Sequence, residues 1–136
     1  MATQIFLNLH VKDLNKSVAF FTELGYTFNP QFTDENATCM IISETIYVML
    51  LVEPFFQSFT NKDIVDTLKA QESIIALSAD SKAAVDEIVN KAVAAGGSIP
   101  KPKRDYGWMY QHSFEDPDGH FWEYFWMDPA GPPAQG

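Results

Sequence analysis

The sequence contains a single cysteine, Cys39, among its 136 residues. One cysteine cannot form an internal disulfide, so the composition favours a reducing compartment and we expect a cytoplasmic protein. Cys39 lies in a predicted strand with no cation or histidine beside it in sequence. This setting predicts a buried, unreactive thiol rather than a nucleophile.

Positive charge is also scarce, since 9 Lys and Arg residues face 18 Asp and Glu residues and the net charge is −9. A nucleic-acid partner is not expected, because such proteins need a basic surface. No apolar run has membrane-spanning length and no signal-peptide pattern opens the chain, so we expect no membrane partner. Glycine-rich phosphate loops, nucleophile elbows and zinc-binding cysteine clusters are missing too.

Apolar residues are abundant, at 46% hydrophobic and 14% aromatic content. This composition is typical of globular proteins, and the length suits one domain with a substantial core. We therefore predict a single domain over residues 1–136.

Hydrophobic periodicity predicts a strand–helix–strand–strand–strand unit in the first half. Asp13 is a suitable N-cap for the helix and Gly25 a suitable stop. Asp34, Glu35 and Asn36 form a predicted turn. The predicted strands cover residues 4–11, 26–32, 37–42 and 46–52, and the helix covers 14–24.

The same order recurs in the second half. Asp80 or Ser81 caps the helix, and Gly96 with Gly97 ends it. The sequence Asp-Pro-Asp-Gly at 116–119 predicts the turn of a β-hairpin. The predicted strands cover 73–79, 98–103 (a weak edge strand), 109–115 and 120–127, with a loop over 104–108 and His120 at the surface beside the turn.

Between the halves, residues 54–72 are predicted to form a linker, and residues 128–136 a frayed tail. Pro54 can start a short helix, and a second helical turn would hold Ile64, Val65 and Leu68. The aromatic side chains of the linker could cover a cavity or a partner surface; they are Phe55, Phe56 and Phe59.

The repeat predicts an α+β fold of two βαβββ modules, at about residues 4–53 and 73–127. If the modules pack about a pseudo-twofold axis, they form a curved mixed sheet around a shared cavity. The cavity could close within one chain or by exchange between chains.

Two motifs carry a family resemblance. The segment from Leu9 to Phe21 followed by Leu24-Gly25, and the segment from Glu115 to His120 with Glu123, resemble the vicinal oxygen chelate superfamily. That group includes glyoxalase I, bleomycin and fosfomycin resistance proteins, methylmalonyl-CoA epimerase and extradiol dioxygenases. The resemblance covers about residues 5–127 and implies a glyoxalase-like fold and a homodimer.

The resemblance also implies where a metal would bind. The four ligand positions of metal-using members fall on Phe6, Met49, Ile74 and Glu123. Only Glu123 can bind a divalent metal through oxygen, and one carboxylate does not hold a catalytic metal. No cofactor is therefore favoured. The alternative is one divalent metal ion on displaced ligands, Glu123 with His10 or His112.

Two functions follow. The first is a metal-free protein of the bleomycin-resistance type that binds a small, aromatic organic ligand in an apolar pocket with Glu123 as polar anchor and candidate catalytic residue. The second is a metal-dependent lyase or dioxygenase of the same superfamily. A weaker third possibility is association through the linker aromatics. The predicted pocket residues are Phe6, Asn8, His10, Met49, Ile74, Trp108, Tyr110, His112, Phe121, Glu123 and Phe125.

A basic run at a predicted loop allows two interpretations. Lys101, Lys103 and Arg104 could attract an anionic ligand. A solvated run of surface charges is the more common explanation of such a pattern.

Overall fold

The computed structural model describes residues 2–133, which form two compact units that meet in sequence between Asp66 and Thr67. This boundary lies inside the predicted linker. Each unit contains one four-stranded mixed sheet and follows the order β-α-β-β-β. The α+β class and the two βαβββ modules are confirmed.

The first unit, called unit 1, has the strand order β1-β4-β3-β2 with β1 parallel to β4. Asp13 caps the first helix by accepting a hydrogen bond from the Lys16 amide at 3.1 Å. Apolar side chains of alternate positions on β1 and β4 are buried with Phe20 and Phe21 of α1. The elements are β1 (Ile5–Val11), α1 (Leu14–Glu23), β2 (Thr27–Asn29), β3 (Ala37–Ile41), β4 (Ile46–Val52) and α2 (Glu53–Gln57).

The second unit, called unit 2, has the order β5-β8-β7-β6 with β5 parallel to β8. Ser81, one of the two predicted caps, accepts a hydrogen bond from the Ala84 amide at 3.0 Å. The elements are β5 (Ile74–Ser78), α3 (Lys82–Ala94), β6 (Arg104–Asp105), β7 (Met109–Glu115) and β8 (Phe121–Met127).

Two predicted strands are wrong in extent or position. The strand predicted over 26–32 stops at Asn29, and a 3-10 turn covers Pro30–Phe32 because the Asn29 side chain accepts from the Gln31 amide and Pro30 suits the first helical position. The strand predicted over 98–103 is reduced to an isolated bridge at Ser98. The prolines in that segment lack the N–H that a ladder needs, so the pairing falls on β6 instead.

The linker begins with the predicted short helix, α2, but the second helical turn is wrong. Residues 61–72, all of which the structure describes, contain no helix. The Thr67 hydroxyl instead donates a hydrogen bond to the Asp118 carbonyl, in the turn between β7 and β8. The start of the tail is also held, since the Asp128 amide donates to the Trp108 carbonyl at 2.7 Å. The final part of the predicted frayed tail, residues 134–136, lies outside the described residues.

The hairpin turn at 116–119 forms as predicted, with the Gly119 amide donating to the Asp116 carbonyl at 2.9 Å. The buried Asp116 carboxylate accepts from the amides of Asp118 and His120 and from Trp122 Nε1, at 2.9, 3.1 and 3.0 Å. Burial raises the pKa of Asp116, while the imidazole of His120 and these donors act in the opposite direction.

His120 is only 5% exposed, so its predicted surface position is wrong. The turn is covered by the linker, because Thr67 and Leu68 lie against Gly119. A sequence pattern that places a residue beside a turn does not show what packs over the turn.

Candidate functional site

The last strand, β8, separates two sets of aromatic side chains as its alternation predicts. Trp122 and Tyr124 are buried on the side of the sheet that contacts α3. Phe121, Glu123 and Phe125 occupy the other face and are partly exposed. We call this second face, the one opposite α3, the open face of unit 2.

The strand register defines which residues accompany Glu123. Ser113 of β7 and Ala76 of β5 lie directly opposite Glu123. One step along, Ile74 pairs with Phe121. Paired residues in neighbouring strands point to the same face, so these side chains share the open face.

A cavity of about 250 Å³ lies on this face. It brings together four of the predicted pocket residues, which are Ile74, His112, Phe121 and Glu123. It also includes polar residues that the predicted pocket omitted, which are Lys101, Arg104, Gln111 and Ser113. The complete lining is Ile74, Lys101, Pro102, Arg104, Gln111, His112, Ser113, Phe121 and Glu123.

The predicted basic run is divided by the structure. Lys101 and Arg104 line the cavity. Lys103 lies with its Nζ 5.9 Å from the centre of the Tyr110 ring, in a cation–π contact. Arg104 pairs with Gln111 across β6 and β7, which directs both side chains to the open face. Two cations and one carboxylate therefore surround the cavity.

Tyr110, predicted as a pocket residue, belongs to the opposite face. Its hydroxyl donates to Asp86 Oδ1 of α3 at 2.5 Å, and it is buried. Burial and this hydrogen bond raise the pKa of the Tyr110 hydroxyl. Tyr110 therefore packs between sheet and helix, away from Glu123.

His112 shares this helix-covered face, two residues along β7. Its Nδ1 lies 3.9 Å from Asp86 Oδ1, and its strand partner is Tyr124. Burial lowers the pKa of His112, although the Asp86 carboxylate opposes this effect. His112 borders the cavity, but its side chain alternates away from Glu123, which faces Ser113 instead.

The remaining predicted residues of unit 2 do not line this cavity. Trp108 is half-buried and holds the tail through its carbonyl oxygen. Phe125 occupies the open face but, among the described residues, lies outside the cavity lining.

The predicted residues of unit 1 follow one face of β1. Phe6 stacks on Tyr47 with ring centres 4.8 Å apart. His10 is buried, with Nδ1 3.9 Å from Glu53 Oε1 and its ring edge-on to Phe56. Asn8 pairs with Met49 in the parallel register. A shared pocket formed by residues of both units stays a prediction.

Comparisons with known proteins agree with this architecture. Residues 3–43 match the bleomycin resistance protein-like N-terminal family. A search of curated proteins found no match. A hypothetical protein from S. aureus is 28% identical with a TM-score of 0.78, covering 92% of this chain and 94% of that one. A glyoxalase/bleomycin resistance protein/dioxygenase from Nocardioides is 25% identical with a TM-score of 0.73, covering 100% and 90%.

A fosfomycin resistance protein from Listeria monocytogenes has 21% identity and a TM-score of 0.67, covering 96% of this chain and 97% of that one. The chain has the glyoxalase-like fold of the vicinal oxygen chelate superfamily. The resemblance seen in the two sequence motifs is thereby confirmed.

For a glyoxalase-like protein, the metal question depends on which ligands converge. Within residues 2–133, no three His, Cys, Asp or Glu side chains are grouped so that they could hold a metal ion. The alternative set is weakened further because β7 and β8 direct His112 and Glu123 to opposite faces. The residues present do not fit the three-ligand site of a catalytic metal.

Two further expectations concern the rest of this glyoxalase-like chain. Cys39 is buried, as predicted, and burial raises the pKa of its thiol, which keeps it protonated. In the part of the chain that the structure describes, no helix is long and apolar enough to span a membrane.

Proposed function

We propose that this protein binds a small organic ligand in the unit 2 cavity, without a metal, in the manner of a sequestering protein of the bleomycin-resistance type. The observation that carries the proposal is the position of Glu123. Glu123 lines a cavity with Ile74 and Phe121. Among residues 2–133, no group of three His, Cys, Asp or Glu side chains could hold a metal ion beside it.

The lining defines the ligand's chemistry. Ile74, Phe121 and Pro102 offer an apolar wall for a ring or alkyl group. Glu123 can accept a hydrogen bond from an amine. Lys101 and Arg104 can bind an acidic group, even though the chain as a whole carries nine excess negative charges. We therefore expect a zwitterionic ligand with an aromatic body.

Isothermal calorimetry with three probe molecules measures the contribution of each contact to the affinity. The probes are L-phenylalanine, benzylamine and phenylacetate. L-Phenylalanine carries both charges and should bind most tightly. Glu123→Gln should weaken L-phenylalanine and benzylamine by about tenfold, because a hydrogen bond to a charged group is lost, and should leave phenylacetate unchanged.

The matched control is Glu72→Gln, which removes the same charge at an exposed position of unit 2 that does not line the cavity. It should change none of the three affinities. Arg104→Gln should weaken phenylacetate and L-phenylalanine but not benzylamine. Equal effects of Glu72→Gln and Glu123→Gln would contradict the proposal, since only long-range charge would then be acting.

The second candidate function, a metal-dependent lyase or dioxygenase, is distinguished by metal binding. Stoichiometric binding of Mn, Fe, Ni or Zn that is lost in Glu123→Ala would favour the enzyme and overturn the metal-free proposal.

We also propose a cytoplasmic homodimer, which is supported by the superfamily resemblance and by the single buried cysteine. Sedimentation velocity at several protein concentrations tests the dimer. A monomer at all concentrations would contradict it.

A further inference from the structure

The chain between Ser98 and β6 lies along the edge of β7 without pairing with it. Ser98 and Glu115 exchange two backbone hydrogen bonds, of 3.2 and 2.8 Å, and pairing resumes where β6 meets Gln111. Between these two anchors, five residues (99–103) lie beside only three residues of β7 (112–114). The longer segment has to bow away from the strand, as in a β-bulge. We call residues 99–103 the strap.

The hydrogen bonds of β7 show which of its main-chain groups face the strap. In an antiparallel ladder, successive residues direct their N–H and C=O groups to opposite neighbours. Glu115 bonds to the segment before the strap, and the Met109 carbonyl accepts from the Tyr106 amide after it, so odd-numbered positions face this side. Ser113 therefore directs its N–H and C=O at the strap. A regular ladder would place Pro100 opposite Ser113, and proline has no N–H to donate.

The main chain of Ser113 is buried and forms part of the cavity wall. Ser113 is 7% exposed, and among the described residues the strap makes no backbone hydrogen bond to β7. The cavity lining contains three consecutive residues of β7, Gln111, His112 and Ser113. Because consecutive side chains point to opposite faces, three in succession reach one cavity through the main chain. Buried main-chain groups are nearly always hydrogen-bonded, and a molecule in the cavity can supply both partners.

We propose that the ligand of this cavity is an L-α-amino acid that bonds to the main chain of Ser113 as a residue of a neighbouring strand would, a step that rests on the proposed function. The amine donates to the Ser113 carbonyl, and the carboxylate accepts from the Ser113 amide. In a strand pair, the two bonded groups of each residue flank a single Cα. The ligand therefore needs its amine and carboxylate on one carbon.

The direction of this pairing agrees with the charges around the cavity. A residue antiparallel to β7 has its amino end toward Glu115 and its carboxyl end toward Gln111. Arg104 pairs with Gln111 and lines the cavity, so its guanidinium can bind the carboxylate. An ammonium group has three N–H donors, so one bond to the Ser113 carbonyl leaves donors for Glu123.

The same pairing selects one enantiomer. Paired L residues of neighbouring strands direct their side chains to the same face. Ser113 shares the open face with Glu123, so an L-amino acid opposite Ser113 directs its side chain to that face, where Phe121 lines the cavity. A D-amino acid bonded in the same way directs its side chain to the face that contacts α3.

Isothermal calorimetry with the full chain tests the pairing with three amino acids of the same charge. They are L-phenylalanine, D-phenylalanine and L-β-homophenylalanine, which has one more methylene between amine and carboxylate. L-Phenylalanine should bind about tenfold more tightly than the others, because each of them loses either a hydrogen bond to Ser113 or the apolar wall. Equal affinities would overturn the pairing and leave the proposed function standing. Failure of all three to bind would overturn both.

The enantiomer preference separates the main chain from the charged side chains. Arg104→Gln should weaken both enantiomers of phenylalanine and keep the preference for L, because the N–H and C=O of Ser113 are unchanged. Loss of the preference would mean that the guanidinium selects the enantiomer, which would overturn the main-chain role. Lys69→Gln is the matched control, since it removes a positive charge at an exposed position of unit 2 outside the cavity lining, and it should change neither affinity.

Amide hydrogen exchange measured by NMR reports on Ser113 itself. Saturating L-phenylalanine should slow exchange of the Ser113 amide about tenfold more than exchange of the Gln111 amide, because Gln111 is already paired with Arg104. D-Phenylalanine at the same occupancy should not produce this difference. Equal slowing of the two amides by L-phenylalanine would contradict the pairing with Ser113.

Discussion

At the scale of single residues, Gly119 is the position where the hairpin turn packs against the linker. Its φ is +83°, and a Cβ added to it would lie 2.5 Å from the Thr67 carbonyl oxygen. A side chain would therefore meet both backbone strain and a backbone atom that cannot rotate away.

Gly119→Ala should lower the free energy of unfolding by about 3 kcal/mol, of which about 1–2 kcal/mol is the cost of the left-handed backbone. Urea unfolding measures the change. Gly107→Ala is the control, because Gly107 has nearly the same φ, +82°, with nothing within 4 Å of the added Cβ. It should cost only about 1 kcal/mol. Equal losses would show that the contact with Thr67 has no effect.

The burial of His112 leads us to expect that the free energy of unfolding depends on pH. Burial lowers its pKa in the folded protein, with Asp86 acting against this and Lys103 with it. The unfolded chain therefore takes up the proton first, near pH 6.5, and the folded state loses stability as the pH falls from there toward the lowered pKa.

Urea unfolding at pH 7.5 and 5.5 tests this sign. The wild type should lose more stability than His112→Asn, which cannot titrate at that position. The same pH dependence in both proteins, or a larger loss in the variant, would contradict the prediction. The latter would mean that attraction to Asp86 outweighs burial.

At the scale of elements, the caps of α3 offer a clean comparison of adjacent residues. Sequence alone leaves Asp80 and Ser81 as alternative N-caps. In the structure, the Ser81 hydroxyl accepts the capping hydrogen bond from the Ala84 amide. Ser81→Ala should cost about 1 kcal/mol of stability, the usual effect of losing an N-cap.

Asp80→Ala should cost much less, because Asp80 makes no capping bond. Thermal and urea unfolding of both variants measure the difference. A larger loss for Asp80→Ala would mean that the cap is assigned to the wrong residue.

The hairpin of β7 and β8 shows how far element-level prediction reaches. The turn at 116–119 and both strands are predicted correctly from local sequence. The turn also sets the register, since pairing Glu115 with Phe121 necessarily pairs Ser113 with Glu123. Counting residues outward from the turn gives this register from the sequence alone. It could have identified Ser113, in place of His112, as the residue that lies opposite Glu123.

At the scale of the whole molecule, the absence of a converging ligand set among residues 2–133 predicts no dependence on metal. The purified chain should contain less than stoichiometric Mn, Fe, Ni and Zn by elemental analysis. Its thermal unfolding temperature should not change with EDTA or with added metal, because no site contributes binding free energy to the folded state. A stabilisation that saturates with one metal would contradict this.

The repeat determines the arrangement of each unit. Sequence periodicity predicts both βαβββ modules, and the structure contains a sheet of the same strand order in each. The linker is the exception, because Ile64, Val65 and Leu68 have apolar spacing suited to a helix but lie in an irregular segment. In this segment the Thr67 hydroxyl donates a hydrogen bond to the Asp118 carbonyl of the hairpin turn.

The sequence by itself determined α1, α2 and α3, most of the strands, the cap of α1 and the two faces of β8. These follow from local preferences and from the two-residue period of strands, and both depend only on neighbouring residues.

Only the tertiary structure decided which face of each strand a helix would cover. Alternation places Tyr110 and His112 together but does not say whether α3 lies over them. Their contacts with Asp86 place them on the helix side, and Glu123 is left on the open face with Lys101 and Arg104. Long-range packing makes that choice, and it defines the cavity on which the proposed function depends.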